Sequence, residues 1–354
     1  MKKILVFVLA TVLVIAAFSA CGGKTSPSPT PPATQAPTTA PTQAPTEGAV
    51  KTGLAVITTA GKSANAGDSD GVAQVDSTVV ALTVDDKGVI TNCVIDSAQT
   101  KMTFSKDGKF LTPKDTVFVG KQELGDAYGM KKGSKIGKEW NEQATALSNY
   151  VIGKTIQQVK GIAVTESGAP KDADLAASVT ISIGDYIAAI EKAVANATHL
   201  GASADDRLGL GLVTTIDNSK DAGDADGLAR AYTNYAAVTF DDKGVITSCI
   251  IDASQTDVTF SKEGKITSNP TGEFKTKNEL GDAYGMKKAS GIGKEWYEQA
   301  AAFAKYVIGK TVEEVKGIAL TEGGLPADAD LSASVTIHIG PFMENVAKAY
   351  ERAK

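Results

Sequence analysis

An α+β fold, built as two tandem homologous domains that each pack an antiparallel sheet with helices, follows from three observations on this 354-residue chain. The stretch from about Gly67 to Tyr186 returns without a gap at the offset that carries Gly67 onto Gly223. Within each copy, apolar runs broken by Asp-Asp-Lys-Gly signal a β-hairpin. Further along each copy the apolar residues move to helical spacing. A period this long is a whole domain copied in tandem, because solenoid repeats are far shorter.

The copies correspond in detail. Gly67-Asp68-Ser69-Asp70-Gly71 returns as Gly223-Asp224-Ala225-Asp226-Gly227, and Glu123 to Met130 as Glu279 to Met286. Gly137-Lys138-Glu139-Trp140 returns as Gly293 to Trp296, and Asp174 to Thr180 as Asp330 to Thr336.

Taken in order, the chain opens with Lys2-Lys3, an apolar run from Ile4 to Phe18, and the small pair Ser19-Ala20 before Cys21. This order predicts a signal peptide over 1–20, too short for a lasting membrane span. A Cys directly after the small pair is similar to the lipobox of bacterial lipoproteins, which implies that Cys21 is lipidated and anchors the chain to the outer face of the cell membrane. Residues 21–48 hold seven of the chain's 12 prolines among Thr, Ser, Ala and Gln, so they cannot build a core. At about 3 Å per residue they predict a stalk of roughly 70 Å.

Domain 1 is expected over 49–200 and domain 2 over 207–354, with a linker from Asn196 through Asp206. Thr78 to Val84 and Val89 to Ile95 flank Asp85-Asp86-Lys87-Gly88 as a hairpin, and Met102 to Leu111 suggests a second one. Trp140, Ala144, Leu147 and Val151 lie on one helical stripe that ends at Gly153. Thr155 to Lys160 reads as a short helix. Val179 to Ile183 reads as a strand, with Asp185 capping a closing helix from Tyr186. Pro341 marks the equivalent helix start in the second copy.

Charge and composition narrow the function. A net charge of −5 with no strong basic segment argues against nucleic acid. The two histidines, His199 and His338, do not repeat between copies, so a shared Ser-His-Asp, Cys-His or zinc site is excluded. Cys93 and Cys249 stand alone in strand-like runs and read as small core residues. Gly153-Lys154-Thr155 lacks the Gly that a P-loop needs five places earlier. Asp68-Ser69-Asp70-Gly71 lacks the later ligands of a calcium loop and reads as a turn.

The segments Asp174 to Thr180 and Asp330 to Thr336 are sharper. They resemble the attachment motif of the FMN-binding domain family, in which an Asp stands six places before a Thr that carries FMN as a phosphoester. Asp and Thr match in both copies. Ala177 and Ala333 stand for the family's hydroxyl residue, Ser178 and Ser334 for its Gly, and Val179 and Val335 for its Ala. With the other repeated motifs, the chain resembles the two-domain flavin-carrying surface lipoproteins of Gram-positive extracellular electron transfer. The resemblance implies FMN bound covalently to Thr180 and Thr336, with Asp174, Ser178, Asp330 and Ser334 as motif residues. It also implies a flavin transferase for maturation, a membrane electron donor, an extracellular electron acceptor and a carrier without a catalytic residue of its own.

The residues add their own reading. Small side chains around a Thr hydroxyl admit a second enzyme's active site, and a nearby helix N-terminus favours the resulting anion. Tyr128, Met130 and Trp140, with Tyr284, Met286 and Trp296, are the repeated large side chains that could wall a flavin ring, although Trp140 also fits the core stripe of its helix. Thr180 and Thr336 read alternatively as packed strand residues and Asp174 and Asp330 as turn residues. The protein would then be a surface lipoprotein that captures a solute or cell-wall component without flavin.

Overall fold

The computed structural model describes residues 48–354, so the signal peptide, Cys21 and the Pro/Thr-rich stalk lie outside the described residues. The described residues belong to one compact unit. Among them no helix is long and apolar enough to cross a membrane.

The first copy runs β1 (Ala49–Thr59), β2 (Gly71–Val84), β3 (Ile90–Phe104), β4 (Val117–Val119), α1 (Lys121–Leu124), α2 (Trp140–Val151), α3 (Ile156–Lys160), α4 (Ala173–Ala176), α5 (Gly184–Asn196) and β5 (Thr198–Ser203). The second runs β6 (Arg207–Thr215), β7 (Gly227–Phe240), β8 (Ile246–Phe260), α6 (Lys277–Leu280), α7 (Trp296–Val307), α8 (Val312–Lys316), α9 (Ala329–Ser332) and α10 (Gly340–Glu351). They form two antiparallel four-stranded sheets, ordered β3-β2-β1-β5 and β4-β6-β7-β8. The α+β architecture with helix-packed antiparallel sheets therefore stands as the sequence predicts.

Strand alternation places the sheets face to face. On β1 and β2, Leu54, Val56, Val79 and Ala81 meet Leu208, Leu210, Leu212, Tyr235 and Ala237 of the other sheet. Their neighbours Ala55, Val80 and Leu82 point the other way, onto α2 and α5. The second sheet repeats this outward packing with Ala236, Val238 and Phe240 against α7 and α10. Successive residues in a strand face opposite sides, and because both sides are covered these strands read as continuous apolar runs. Cys93 and Cys249 sit inside these outer cores.

At the far ends of the hairpins a fourth core, again shared by the two copies, closes the molecule. There Phe104 and Phe260 stack with ring centroids 4.3 Å apart and planes 9° from parallel.

The copies also trade edge segments. β4 of the first copy pairs with β6 of the second through Val117 and Thr215, Phe118 and Thr214, and Val119 and Val213. Phe274 of the second copy returns the gesture by bridging Thr58 on β1. Ion pairs cross at equivalent positions, Lys348 to Glu123 at 2.8 Å and Lys192 to Glu279. Arg352 adds a second bond to Glu123 at 2.6 Å.

Three local expectations need correction. The stretch from Asn196 to Asp206 is not a linker: Asn196 ends α5, and β5 pairs with β1 at Thr52–Thr198 and Lys51–His199. Val179 to Ile183 is not a strand but an irregular loop, because its amides bond to a side chain instead of a neighbouring strand. Asp185 does not cap α5, whose N-cap is Ile183; it lies in the first turn, where an acid still favours the helix dipole. The expected hairpin over Met102 to Leu111 is present in short form: Phe104 bridges Phe110, Ser105 N donates to Lys109 O at 2.8 Å and Leu111 N donates to Thr103 O at 2.9 Å.

Two buried carboxylates pin the start of α1 and α6. Asp96 accepts from Ser97 N at 2.7 Å and Gln122 N at 2.9 Å, and Asp252 accepts from Ala253 N at 2.7 Å and Asn278 N at 3.1 Å. Burial outweighs these bonds, so it raises Asp96 to about 6 and Asp252 to about 7, from an ordinary value of 3.8. A carboxyl that holds its proton more tightly folded than unfolded favours the folded chain at low pH, and that advantage is lost as pH rises from about 4 to about 7. Asp252→Asn keeps an acceptor and cannot ionise. Its melting temperature relative to wild type is expected to be several degrees better at pH 8 than at pH 4.5, read by thermal melts. A pH-independent gap between the two proteins would show that Asp252 does not titrate in this window.

Candidate functional site

The site is built around one buried side chain per copy. Gln143 is fully buried on α2, one turn beyond Trp140, beside the apolar stripe of Ala144 and Leu147. Its Oε1 accepts from Thr180 N at 2.8 Å, Ile181 N at 3.3 Å and the Thr180 hydroxyl at 3.3 Å. Its Nε2 donates to Ser134 Oγ at 3.1 Å and Lys138 O at 3.2 Å. The amide thus clamps the threonine loop on one side and the loop before α2 on the other. Gln299 repeats the clamp, accepting from Thr336 N at 2.8 Å and its hydroxyl at 3.2 Å, and donating to Ser290 at 3.2 Å and Lys294 O at 3.2 Å. A buried amide with every bond made is a positional device, since leaving one unmade costs about 1–3 kcal/mol.

Thr180 and Thr336 are each half-buried on this irregular loop, between the buried Val179 and Val335 and the half-buried Ile181 and Ile337. Ser178 and Ser334 are half-buried two residues earlier, and Lys138 Nζ donates to Ser178 Oγ at 3.3 Å. Asp174 and Asp330 are exposed in the first turns of α4 and α9. The caps of those helices are instead Asp172, which accepts from Leu175 N at 3.1 Å, and Asp328, which accepts from Leu331 N at 2.9 Å.

The loop before α2 is organised by Glu139. This buried carboxylate accepts from Met130 N at 2.9 Å and Lys131 N at 2.7 Å, and forms a capping box with Glu142. Burial opposes its charge, but the N–H groups of Lys131, Met130 and Trp140 prevail and hold it below the usual carboxylate range. Glu295 makes the same bonds to Met286 N and Lys287 N. Tyr128 precedes Gly129, whose φ of 79° is the left-handed conformation that a glycine adopts without penalty.

Tyr128 and Met130 are half-buried at the edge of the first outer core, and Tyr284 and Met286 at the edge of the second. Trp140 and Trp296 are only 3% and 4% exposed. Trp140 Nε1 donates to Tyr186 OH at 3.0 Å, while Trp296 packs edge-on to Phe342 at 5.7 Å. Structure therefore gathers Thr180, Ser178, Trp140, Tyr128 and Met130 around α2 and its preceding loop, and leaves Asp174 on a separate short helix.

Gln143, Gln299, Lys121 and Lys277 escaped the reading of the sequence. The Gln residues could have been found from their recurrence three places after each Trp, as polar residues beside an apolar stripe. Lys121 lies 4.4 Å from the Tyr128 ring centroid and 5.4 Å from that of Trp140. Lys277 lies 4.5 Å from Tyr232, 4.5 Å from Tyr284 and 5.0 Å from Trp296.

The residues fit a phosphate-linked flat cofactor. Lys131, Lys132, Lys135 and Lys138 place four cations on the loop that Gln143 ties to Thr180. Gly133, Gly137 and Gly184 face open space into which even a Cβ would meet nothing within 4 Å.

No family model matches the chain, and no solved structure matches it. A chlorophenol reductase of Desulfitobacterium hafniense is 34% identical over 123 residues, which cover 30% of this chain and 36% of that protein. The match spans about a third of that protein, so the likeness joins one segment of this chain to one part of a reductase.

Proposed function

We propose that this protein is an electron-transfer flavoprotein, anchored at the outer face of the membrane through a lipid on Cys21, with one FMN bound covalently to Thr180 and one to Thr336. The observation that carries the reading is the pair of matching clamps: in both copies a fully buried glutamine bonds the motif threonine's N–H at 2.8 Å. A hydroxyl on a packed strand needs no such holder. Similarity over part of the chain to a protein named as a reductase supports a redox role of the coarser kind.

When bound, FMN would supply an acceptor that takes electrons in pairs and releases them singly. The chain's own residues do the rest. Gln143 and Gln299 fix the threonine backbone and hold its hydroxyl at 3.3 and 3.2 Å on a half-buried loop, from which it must turn outward for a flavin transferase to reach it. Lys138, two residues from the attachment point through Ser178, offsets the charge of a phosphodiester. Tyr128 and Met130, and Tyr284 and Met286, present half-buried apolar surface for a ring. A stalk and anchor hold both centres near a membrane donor at high effective concentration, and an extracellular acceptor completes the transfer.

A second reading, a ligand-capturing surface protein, has one observation in its favour. A cleft of about 610 Å³ beside α7 is lined mainly by apolar groups such as Leu200, Ile250, Ala301 and Ile308.

The test is the intact mass of protein co-produced with a flavin transferase. Wild type is expected to carry two FMN adducts, and Thr180→Ala and Thr336→Ala one each, with flavin absorbance surviving denaturing precipitation. An unchanged adduct count in either variant removes that attachment site, and colourless wild type leaves the ligand-capturing reading.

A further inference from the structure

Lys121 and Lys277 are 9% and 3% exposed, and among the described residues neither has a carboxylate within ion-pair distance. Lys277 Nζ has one polar partner, the Tyr232 hydroxyl at 2.6 Å. A buried ammonium without a counter-ion is expensive, and aromatic faces return only part of the cost. Each sits against the aromatic wall of its copy, Tyr128 and Trp140 or Tyr284 and Trp296.

The copies differ around that wall. Near Tyr128, Asp76 is bound by Lys62 at 2.9 Å and by Gln74, and Asp185 is close enough to act on Lys62. At the equivalent positions the second copy has Tyr232 for Asp76, Asn218 for Lys62 and Pro341 for Asp185. Arg230 replaces Gln74 and takes Asp257 in two bonds of 2.7 Å. Beyond the carboxylates common to both copies, Asp96 and Glu139 in the first and Asp252 and Glu295 in the second, with Asp252 close enough to act on Lys277, the first wall has Asp76, matched by Lys62, and Asp185, without an ion-pair partner among the described residues. The second has Asp257, matched by Arg230, where the first copy carries the exposed Lys101.

We propose that Lys121 and Lys277 are the counter-charges for the reduced flavins, and that Lys277, caged by Tyr232, Tyr284 and Trp296, makes the second centre the higher-potential one. This rests on the covalent-flavin reading. Two electrons from a quinol-type donor, which is oxidised to the quinone with release of two protons, reduce the ring; it takes up one of those protons, the other passes to solvent, and one net negative charge is left on the ring. A nearby fixed cation stabilises that charge and raises the potential, and a nearby carboxylate lowers it. Burial pushes the Lys277 ammonium down to about 8, so most of it is still charged at neutral pH.

The experiment uses full-length chains co-produced with a flavin transferase. Thr180→Ala leaves only the second flavin and Thr336→Ala only the first, and each is titrated with dithionite in a spectroelectrochemical cell. The second centre is expected at the more positive potential. Adding Lys277→Met to Thr180→Ala should make reduction at a fixed applied potential about tenfold less favourable, as expected for losing one nearby charge. Lys277→Arg should keep the potential near its original value. Tyr232→Asp, which copies the first site and retains the lysine, should lower it as well and covers the case that Lys277→Met does not fold. A second centre at or below the first, or potentials that ignore Lys277→Met and Tyr232→Asp, overturns the proposal. Chains that carry no flavin mass overturn the covalent-flavin reading along with it, whereas flavin-loaded chains with indifferent potentials overturn this inference alone.

Discussion

Gly209→Val is expected to destabilise the protein by about 3 kcal/mol or more, the upper range for forcing bulk into a packed core. A Cβ at Gly209 would stand 1.9 Å from the Ala349 carbonyl oxygen and 2.6 Å from its carbon, both backbone atoms of α10. Backbone in the last turn of α10 cannot turn aside as a flexible side chain would, so that end of α10 must lift from β6. Gly211 meets Asn345 O at 2.0 Å, and Gly53 meets Ala193 O of α5 at 2.1 Å. Strand glycines thus set how closely each closing helix lies on its sheet. Gly223→Ala is the control, since a Cβ there meets nothing within 4 Å and its φ is unexceptional. Urea denaturation should show a large drop in midpoint for Gly209→Val and a change within about 0.5 kcal/mol for Gly223→Ala. Equal midpoints for Gly209→Val and wild type would mean that α10 is not seated as described.

Phe104→Ala and Phe260→Ala should each cost about 3–5 kcal/mol, as for a buried aromatic truncated in a core. Both rings are fully buried, and each also fills the space over a glycine, since a Cβ at Gly71 would meet Phe104 at 2.2 Å and one at Gly227 would meet Phe260 at 2.4 Å. The two rings come from different copies. In the double variant the stacking energy is lost only once, so the combined cost should fall short of the sum by about 0.5–1.5 kcal/mol. Because this core belongs to both copies, either single variant should unfold both together in one transition. Two separate transitions, or strictly additive costs, would contradict a shared core.

Much of this fold was legible because its elements carry local signals. Duplication, the hairpin at Asp85 to Gly88, the Trp140 helix and the Thr155-capped α3 all rest on residues within a few positions of one another. Thr155 does accept from Gln158 N, as a cap should. What escaped depends on partners distant in the chain. β5 is the polar run Thr-His-Leu-Gly-Ala-Ser, which reads as a linker until β1 is seen beside it. β4 is three residues long, too short for periodicity, and nothing in its composition says that its partner is β6 of the other copy.

At the site, the threonines stood out by motif, whereas their holders did not. Gln143 and Gln299 are polar residues beside the apolar stripe of their helices, and their value appears only when the loop at Thr180 or Thr336 folds over them. Lys121 and Lys277 belong to no motif that marks them in the sequence. Only tertiary packing against Tyr128 and Tyr284 reveals them as buried.

The exchange of β4 against the Phe274 bridge bears on how such a molecule could have arisen. A lone ancestral unit would have carried a short edge segment with no seat in its own sheet and one apolar sheet face open to water, and a twin would satisfy both. Its integrity would then have depended on how many twins were at hand. Fusing two genes head to tail makes that meeting intramolecular and leaves each half free to drift from mirror-like equality in its chemistry.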